Sequence, residues 1–205
     1  MSKISDVLNR LEIEDDAQRD QGLPKEKRNR SITRDTAEYL SVFSRAVGAK
    51  TIVEIGTSVG YSTIWLALTA KTTGGKVITY DIDPKKIEKA KANLEDAGLS
   101  EFVEFVQGGP DDADIPHSID LVFMDQEKED YIRHFDKIFP NVRDGGIFVA
   151  DNIISHFEEL RMYIDHVRDH PMCNSLLLPV GKGLEITYKF TPDESSDYKS
   201  DVLIR

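Results

Sequence analysis

From Lys50 onward the chain alternates short apolar runs with stretches of helical periodicity, and this alternation restricts its fold more than any other feature. The pattern predicts strands over Thr51–Ile55, 76–82, 102–106, Ile119–Met124 and 146–150. Helices are expected over 62–70, from Pro84 to Gly98, over 131–139 and over Phe157–Asp169. Such an order requires a mostly parallel sheet covered on both faces and joined by right-handed crossovers. Two last strands, 175–180 and 184–190, flank Gly181-Lys182-Gly183, which reads as a tight hairpin adding an antiparallel strand at one edge. The expected fold is therefore α/β, a doubly wound, seven-stranded sheet.

Ahead of this core, Ile4, Val7, Leu8 and Leu11 recur at helical spacing. Gly22-Leu23-Pro24 breaks that helix, and Thr33 or Asp35 is placed to cap a second one carrying Ala37, Leu40, Val42, Phe43 and Val47. Between Arg19 and Arg34 six basic residues (Arg19, Lys25, Lys27, Arg28, Arg30, Arg34) face two acidic ones, Asp20 and Glu26. This run is either a solvated loop or a basic flap over a site for an anionic ligand. The net charge of -11 argues against broad nucleic-acid binding. No apolar run approaches a membrane span, the first residues lack the apolar core of a signal peptide, and Cys173 is the single cysteine. A cytoplasmic protein is expected, with Cys173 as a packing residue.

Loops at the carboxyl ends of the strands carry the chemistry, because open α/β sheets bind ligands there. After the first strand, Glu54-Ile55-Gly56-Thr57-Ser58-Val59-Gly60-Tyr61-Ser62 lacks the G-x-G-x-x-G spacing of a nicotinamide dinucleotide site. An acid ahead of the glycine turn repels a pyrophosphate but suits a cationic ligand bearing an ammonium and a sulfonium. Asp81, at the end of the second strand, is placed to take ribose hydroxyls. Together Glu54, Gly56, Gly60 and Asp81 point to S-adenosylmethionine in a Rossmann-like sheet; the alternative is a glycine turn needed only for packing. Gly109 and Asp111, in the turn after the third strand, fall where the adenine would lie.

The fourth and fifth strands end in Asp125 and in Asp151-Asn152. Two carboxylates and an amide make an all-oxygen set suited to a hard divalent cation, with Lys128 three residues past Asp125 for proton transfer. Asp-Asn after a strand is equally a common turn or helix cap, and Lys128 in a charged run is equally a solvated helix start. The five histidines (His117, His134, His156, His166, His170) show no metal-ligand spacing and read as surface or loop residues. His156, following the Asp-Asn pair, falls beside an acceptor pocket.

At this point the chain resembles the metal-dependent O-methyltransferases that include the catechol and caffeoyl-CoA enzymes. The resemblance runs from about residue 30 to 190 through EIGTSVGYS, ITYDIDP, LVFMDQEKEDY, GGIFVADN and GLEITYK. It implies Asp125, Asp151 and Asn152 as metal ligands, Lys128 as proton acceptor, Asp81 on the ribose, and Glu54, Gly56, Ser62 and Asp125 along the cofactor. Magnesium is the first expectation, with calcium or manganese as alternatives. Glu185 matches a glutamate that holds the acceptor's second hydroxyl, while Lys128 and Asn152 are expected to touch the acceptor as well. One departure stands out: catechol enzymes carry a tryptophan just before the lysine, and here Glu127 occupies that place.

The expectation is a single methyltransferase domain over 1–205, with N-terminal helices and basic flap over 1–47, a cofactor-binding core over 48–190 and a polar tail over 191–205. The acceptor would be a small phenol with adjacent oxygens, and the resemblance implies a homodimer, placed on the first helix because its apolar stripe needs a partner. Two rivals remain: a tRNA hydroxyuridine methyltransferase, favoured by the basic flap, and a noncatalytic protein that binds the cofactor.

Overall fold

In the computed structural model, which describes residues 3–191, 193 and 194, a seven-stranded sheet organises the chain in the order β3-β2-β1-β4-β5-β7-β6. Its strands are β1 (Thr51–Ile55), β2 (Lys76–Asp81), β3 (Val103–Gln107), β4 (Ile119–Met124), β5 (Val142–Ala150), β6 (Cys173–Leu178) and β7 (Leu184–Lys189). β3, β2, β1, β4 and β5 pair in parallel, whereas β7 runs antiparallel between β5 and the edge strand β6. The helices are α1 (Lys3–Asp20), α2 (Arg34–Ala46), α3 (Tyr61–Thr73), α4 (Pro84–Asp96), α5 (Tyr131–Ile138) and α6 (Phe157–Asp169). The doubly wound expectation holds, and of the expected polar tail only Thr191, Asp193 and Glu194 fall within the described residues.

Successive strand side chains point to opposite faces, so each central strand feeds two cores. Ile52, Leu121, Phe123, Ile147 and Val149 pack with α1–α4, while Val53, Val122, Met124, Phe148 and Ala150 pack with α5 and α6. Thr33 caps α2 as expected, its hydroxyl accepting the Thr36 N–H, and Asp83 caps α4 with Pro84 in the first turn. β5 begins four residues before the expected strand, because a register shift between Ile119 and Leu121 lets Gly145 and Gly146 continue the ladder. A glycine pair reads as a loop in sequence and here forms a bulge.

The reasoning that placed a dimer on the first helix does not survive. Val7, Leu8 and Leu11 are buried within the chain itself, in the core they share with Leu40, Ile64 and Leu94. No helix among the described residues is long and apolar enough to cross a membrane. Replacing Leu11, 1% exposed, by alanine should lower the unfolding free energy by about 3 kcal/mol. Urea titration with size exclusion tests this; a change of mass at unchanged stability would put the stripe back at an interface.

Candidate active site

Parallel pairing brings the carboxyl ends of β1, β2, β4 and β5 to one edge, where backbone bonds tie them together. Gly56 N–H donates to Tyr80 C=O at 2.9 Å, Asp125 N–H to Ile55 C=O at 2.9 Å, and Asp151 N–H to Met124 C=O at 3.0 Å. A cavity of about 440 Å³ opens along this edge, lined by Gly56, Ser58, Asp81, Gly109, Asp125 and Asn152 among others. Gly56 is obligatory: its φ is +104°, and a Cβ there would sit 2.4 Å from the Asp125 carbonyl oxygen.

One half of the cavity is built for a neutral or cationic polar ligand. Asp81 accepts from Ser58 N–H at 2.7 Å and Asp83 N–H at 2.9 Å, which fixes its carboxylate at the cavity wall. Gly109 lies beside His134, and Gln126 lines the same wall. The His134 Nδ1 and both amide atoms of Gln126 are buried without partners among the described residues. Unpartnered buried polar groups at a cavity mark where a ligand's own polar atoms fit. His134, 6% exposed, thus belongs to the site and not to the surface as its spacing suggested.

Several expected contacts lie elsewhere. Glu54 is fully buried behind the cavity, and its two oxygens accept from Ser62 (2.5 Å), Thr63 (2.5 Å) and Thr79 (2.6 Å). Burial pushes it up to about 7 against the pull of those hydroxyls. Ser62 is consumed by that bond, and neither residue lines the cavity. Gly60, at φ +86°, lets α3 approach α4: a Cβ would meet Leu94 at 3.0 Å and Ala90 at 3.1 Å, so its role is packing. Asp111 pairs with Arg133 and stands 3.5 Å from His134, outside the cavity lining. Glu185 is 0% exposed on the α6 side of β7, where Arg168 grips it through two bonds of 2.7 and 2.9 Å and Ser175 donates a third at 2.9 Å. With its oxygens committed there, Glu185 lies outside the cavity lining.

The other half gathers the oxygen ligands expected from the sequence. Asn152, held at φ +71°, donates its amide to Asp125 at 2.6 Å. Lys128 lies 3.7 Å from the same carboxylate and donates to the Gln126 carbonyl at 2.8 Å and the Tyr131 hydroxyl at 3.3 Å. Asp151 is 1% exposed, and neither of its carboxylate oxygens has a partner among the described residues. Burial first and the Asp125 charge second push Asp151 up to about 7, and burial likewise raises Asp125 against the nearby lysines. Burial lowers Lys128, opposed by Asp125, which moves its ammonium toward the neutral form that accepts a proton. An orphaned buried carboxylate beside a second one fits a hard divalent cation, and the Asn152 amide carries one further oxygen. Among the described residues no group of three His, Cys, Asp or Glu side chains converges, so the amide is needed to complete a ligand set.

The basic run is a docked flap. Arg30 binds Glu127 at 2.5 Å and gives its N–H to Asp15 at 2.9 Å, while the Ser58 hydroxyl donates to the Asn29 carbonyl. Arg19, Lys25, Arg28 and Arg30 thereby roof the cavity, with Lys86 and Lys182 adding cations from the far side. Of these only the flap was foreseeable; Lys182, in a hairpin between two glycines, gave no signal beyond a turn.

Fold and site together define a Rossmann-like protein with a cofactor cleft running into an oxygen-donor cluster beside a buried lysine. An O-methyltransferase family profile matches residues 18–161, and the chain belongs to that family. It is 35% identical over 128 residues to catechol O-methyltransferase of Mycobacterium tuberculosis, covering 60% of this chain and 57% of that one. With caffeoyl-CoA O-methyltransferase 2 of Petunia hybrida it shares 27% identity over 178 residues, 74% of this chain and 73% of that one. The matched stretch thus spans less than two thirds of the catechol enzyme. In structure it resembles a cofactor-bound protein from MTB, with a TM-score of 0.77, 26% identity and 89% of each chain covered.

The orphaned carboxylate predicts a pH dependence. Because Asp151 binds its proton more tightly folded than unfolded, its contribution to stability is complete below about pH 4 and is lost as pH rises through about 7. In chelator, the wild-type stability profile minus that of Asp151→Asn should decline over this window, and added magnesium should offset the decline. A flat difference profile would show that the carboxylate is solvated or partnered.

Proposed function

We propose that this protein is an S-adenosylmethionine-dependent, divalent-cation-dependent O-methyltransferase acting on a small acceptor with two adjacent oxygens. The observation that carries the reading is Asp151, a buried carboxylate with both oxygens unpartnered, beside Asp125, Asn152 and Lys128. Family membership and the cofactor-bound structural relative support the methyl donor. Asp125, Asp151 and Asn152 would hold the cation. When bound, S-adenosylmethionine supplies a methyl group on a sulfonium, and a divalent cation supplies the charge that makes a neighbouring hydroxyl acidic.

The chain's own residues then have defined tasks. Lys128 Nζ takes the proton of the attacking hydroxyl, and its burial on Tyr131 favours the neutral amine needed to do so. Asp81, which lines the same cavity as Asp125, would hold the cofactor's ribose hydroxyls. The docked flap excludes water over both halves, which strengthens every charge interaction inside.

Purified protein should transfer labelled methyl groups to a catechol only with a divalent cation present, and chelator should abolish the transfer. Lys128→Met should lower kcat by about a hundredfold or more while leaving cofactor affinity near wild type. Methylation that survives chelator and Asp151→Ala would reject the metal, and labelling of total tRNA in place of catechols would reject the small acceptor.

A further inference from the structure

Next to Lys128 the cavity continues into a compartment of about 280 Å³, lined by Lys25, Arg30, Glu127, Lys128, Glu129, His156 and Glu159. Apart from the His156 imidazole, its wall is made of charged side chains. Pockets for small neutral ligands are mostly apolar, so a bare aromatic ring gains little here. Glu129 and Glu159 are exposed at the rim, and Glu127 is neutralised by Arg30.

Lys25 and Arg30 line both the main cavity and this compartment, Lys128 the compartment, and Arg19, Arg28, Lys86 and Lys182 the main cavity. These cations fall into two groups. Arg19 is tied to Asp15, Arg30 to Glu127, and Lys128 to Gln126 and Tyr131. Lys25, Arg28, Lys86 and Lys182 have no side-chain hydrogen bond or ion pair among the described residues, and the buried Arg28 Nε is left unpartnered at the cavity. Lys182 lines the main cavity together with Asp125, Asn152 and His156, and its charge acts on Asp125 and Asp151; Lys25 lines both cavities with His156.

Lys182 is also launched from a fixed base. A Cβ on Gly181 would lie 2.2 Å from the Thr36 hydroxyl and one on Gly183 2.5 Å from Ile154, so glycine is needed on both sides for the hairpin to wedge between α2 and the segment after β5. The Lys182 carbonyl accepts from Ile154 N–H at 2.9 Å and Ser155 N–H at 3.2 Å. A turn this constrained aims a free ammonium at the cavity with little backbone freedom.

We propose that the methyl acceptor is an anion, a small compound with two adjacent oxygens that also bears a carboxylate or phosphonate-like group, and that Lys182, seconded by Lys25, receives that group. This rests on the reading of the site as an O-methyltransferase centre. The anionic group takes the position that an apolar wall would occupy for a neutral phenol, and Lys182 serves as a specificity-determining residue.

The test compares catechol, protocatechuate and the phosphonate analogue of protocatechuate. Methyl transfer is measured with labelled donor and magnesium, and binding by calorimetry with magnesium and S-adenosylhomocysteine. Wild type should favour at least one anion over catechol by about tenfold or more in kcat/KM and Kd, and the arm preferred separates carboxylate from phosphonate. Lys182→Gln should bring the preference to within about twofold, with Lys182→Arg restoring part of it and donor affinity unchanged. Equal binding of catechol and both anions would overturn the proposal, as would a Lys182→Gln loss shared equally by all three or by the donor. If no compound is methylated yet the anions bind tenfold better through Lys182, the anion site stands and the O-methyltransferase reading falls.

Discussion

Three carboxylates crowd one edge of a parallel sheet, and how each is compensated decides what the rest of the site does. Glu54, Asp125 and Asp151 stand at or just past the ends of β1, β4 and β5, strands whose pairing allows them no retreat from one another. Burial penalises the charged form of all three, and Asp125 adds a repulsive contribution to the other two. The protein answers with three solutions. Glu54 takes three hydroxyl donors, Asp125 takes an amide and a lysine at 3.7 Å, and Asp151 takes no partner among the described residues. Glu54, fully served, spends its oxygens inside the fold. Asp151 is the carboxylate with the most to gain from added positive charge, because a buried charge without a partner is among the costlier arrangements in a protein.

The flap follows from the same electrostatics. A polar cleft with carboxylates at its floor is a natural place for basic residues, but a free basic loop would remain solvated. Here it is pinned at Asp15, Ser58 and Glu127, that is, to the first helix, to the cofactor turn and to the loop carrying Lys128. Glu127 is therefore a latch that ties Arg30 of the roof to the loop carrying Lys128.

Much of this was legible in the chain. The alternation of apolar runs with helical periods predicts the doubly wound sheet, and the polar residues ending each run predict Asp81, Asp125, Asp151 and Asn152 at one edge. Where a residue is placed differently from its expectation, the missing information is tertiary: which face of its element it takes and what packs against that face. Glu185 alternates correctly, but its pairing opposite Ala150 turns it toward α6, where Arg168 waits. His134 looked like a surface residue because nothing in its spacing reveals that α5 packs against the turn at Gly109. Gly60 read as a ligand glycine, whereas helix–helix contact with α4 is what requires it. The stripe of α1 seemed to need a second copy because tertiary burial within the chain leaves no local trace.

The free cations differ in how well they can discriminate. Lys25 is exposed in a three-residue 3-10 helix and keeps most of its side-chain freedom, so ordering it on a ligand costs entropy. Lys182 starts from a backbone held on both flanks, and less freedom is lost when its ammonium meets an anion. It also sits in the field of Asp125 and Asp151, which attracts the ammonium while those carboxylates are uncompensated. Charge placed between the carboxylates weakens that attraction and leaves the ammonium available to an incoming anion. On this logic the lysine between two glycines reads the acceptor only after the oxygen cluster beneath it has been neutralised.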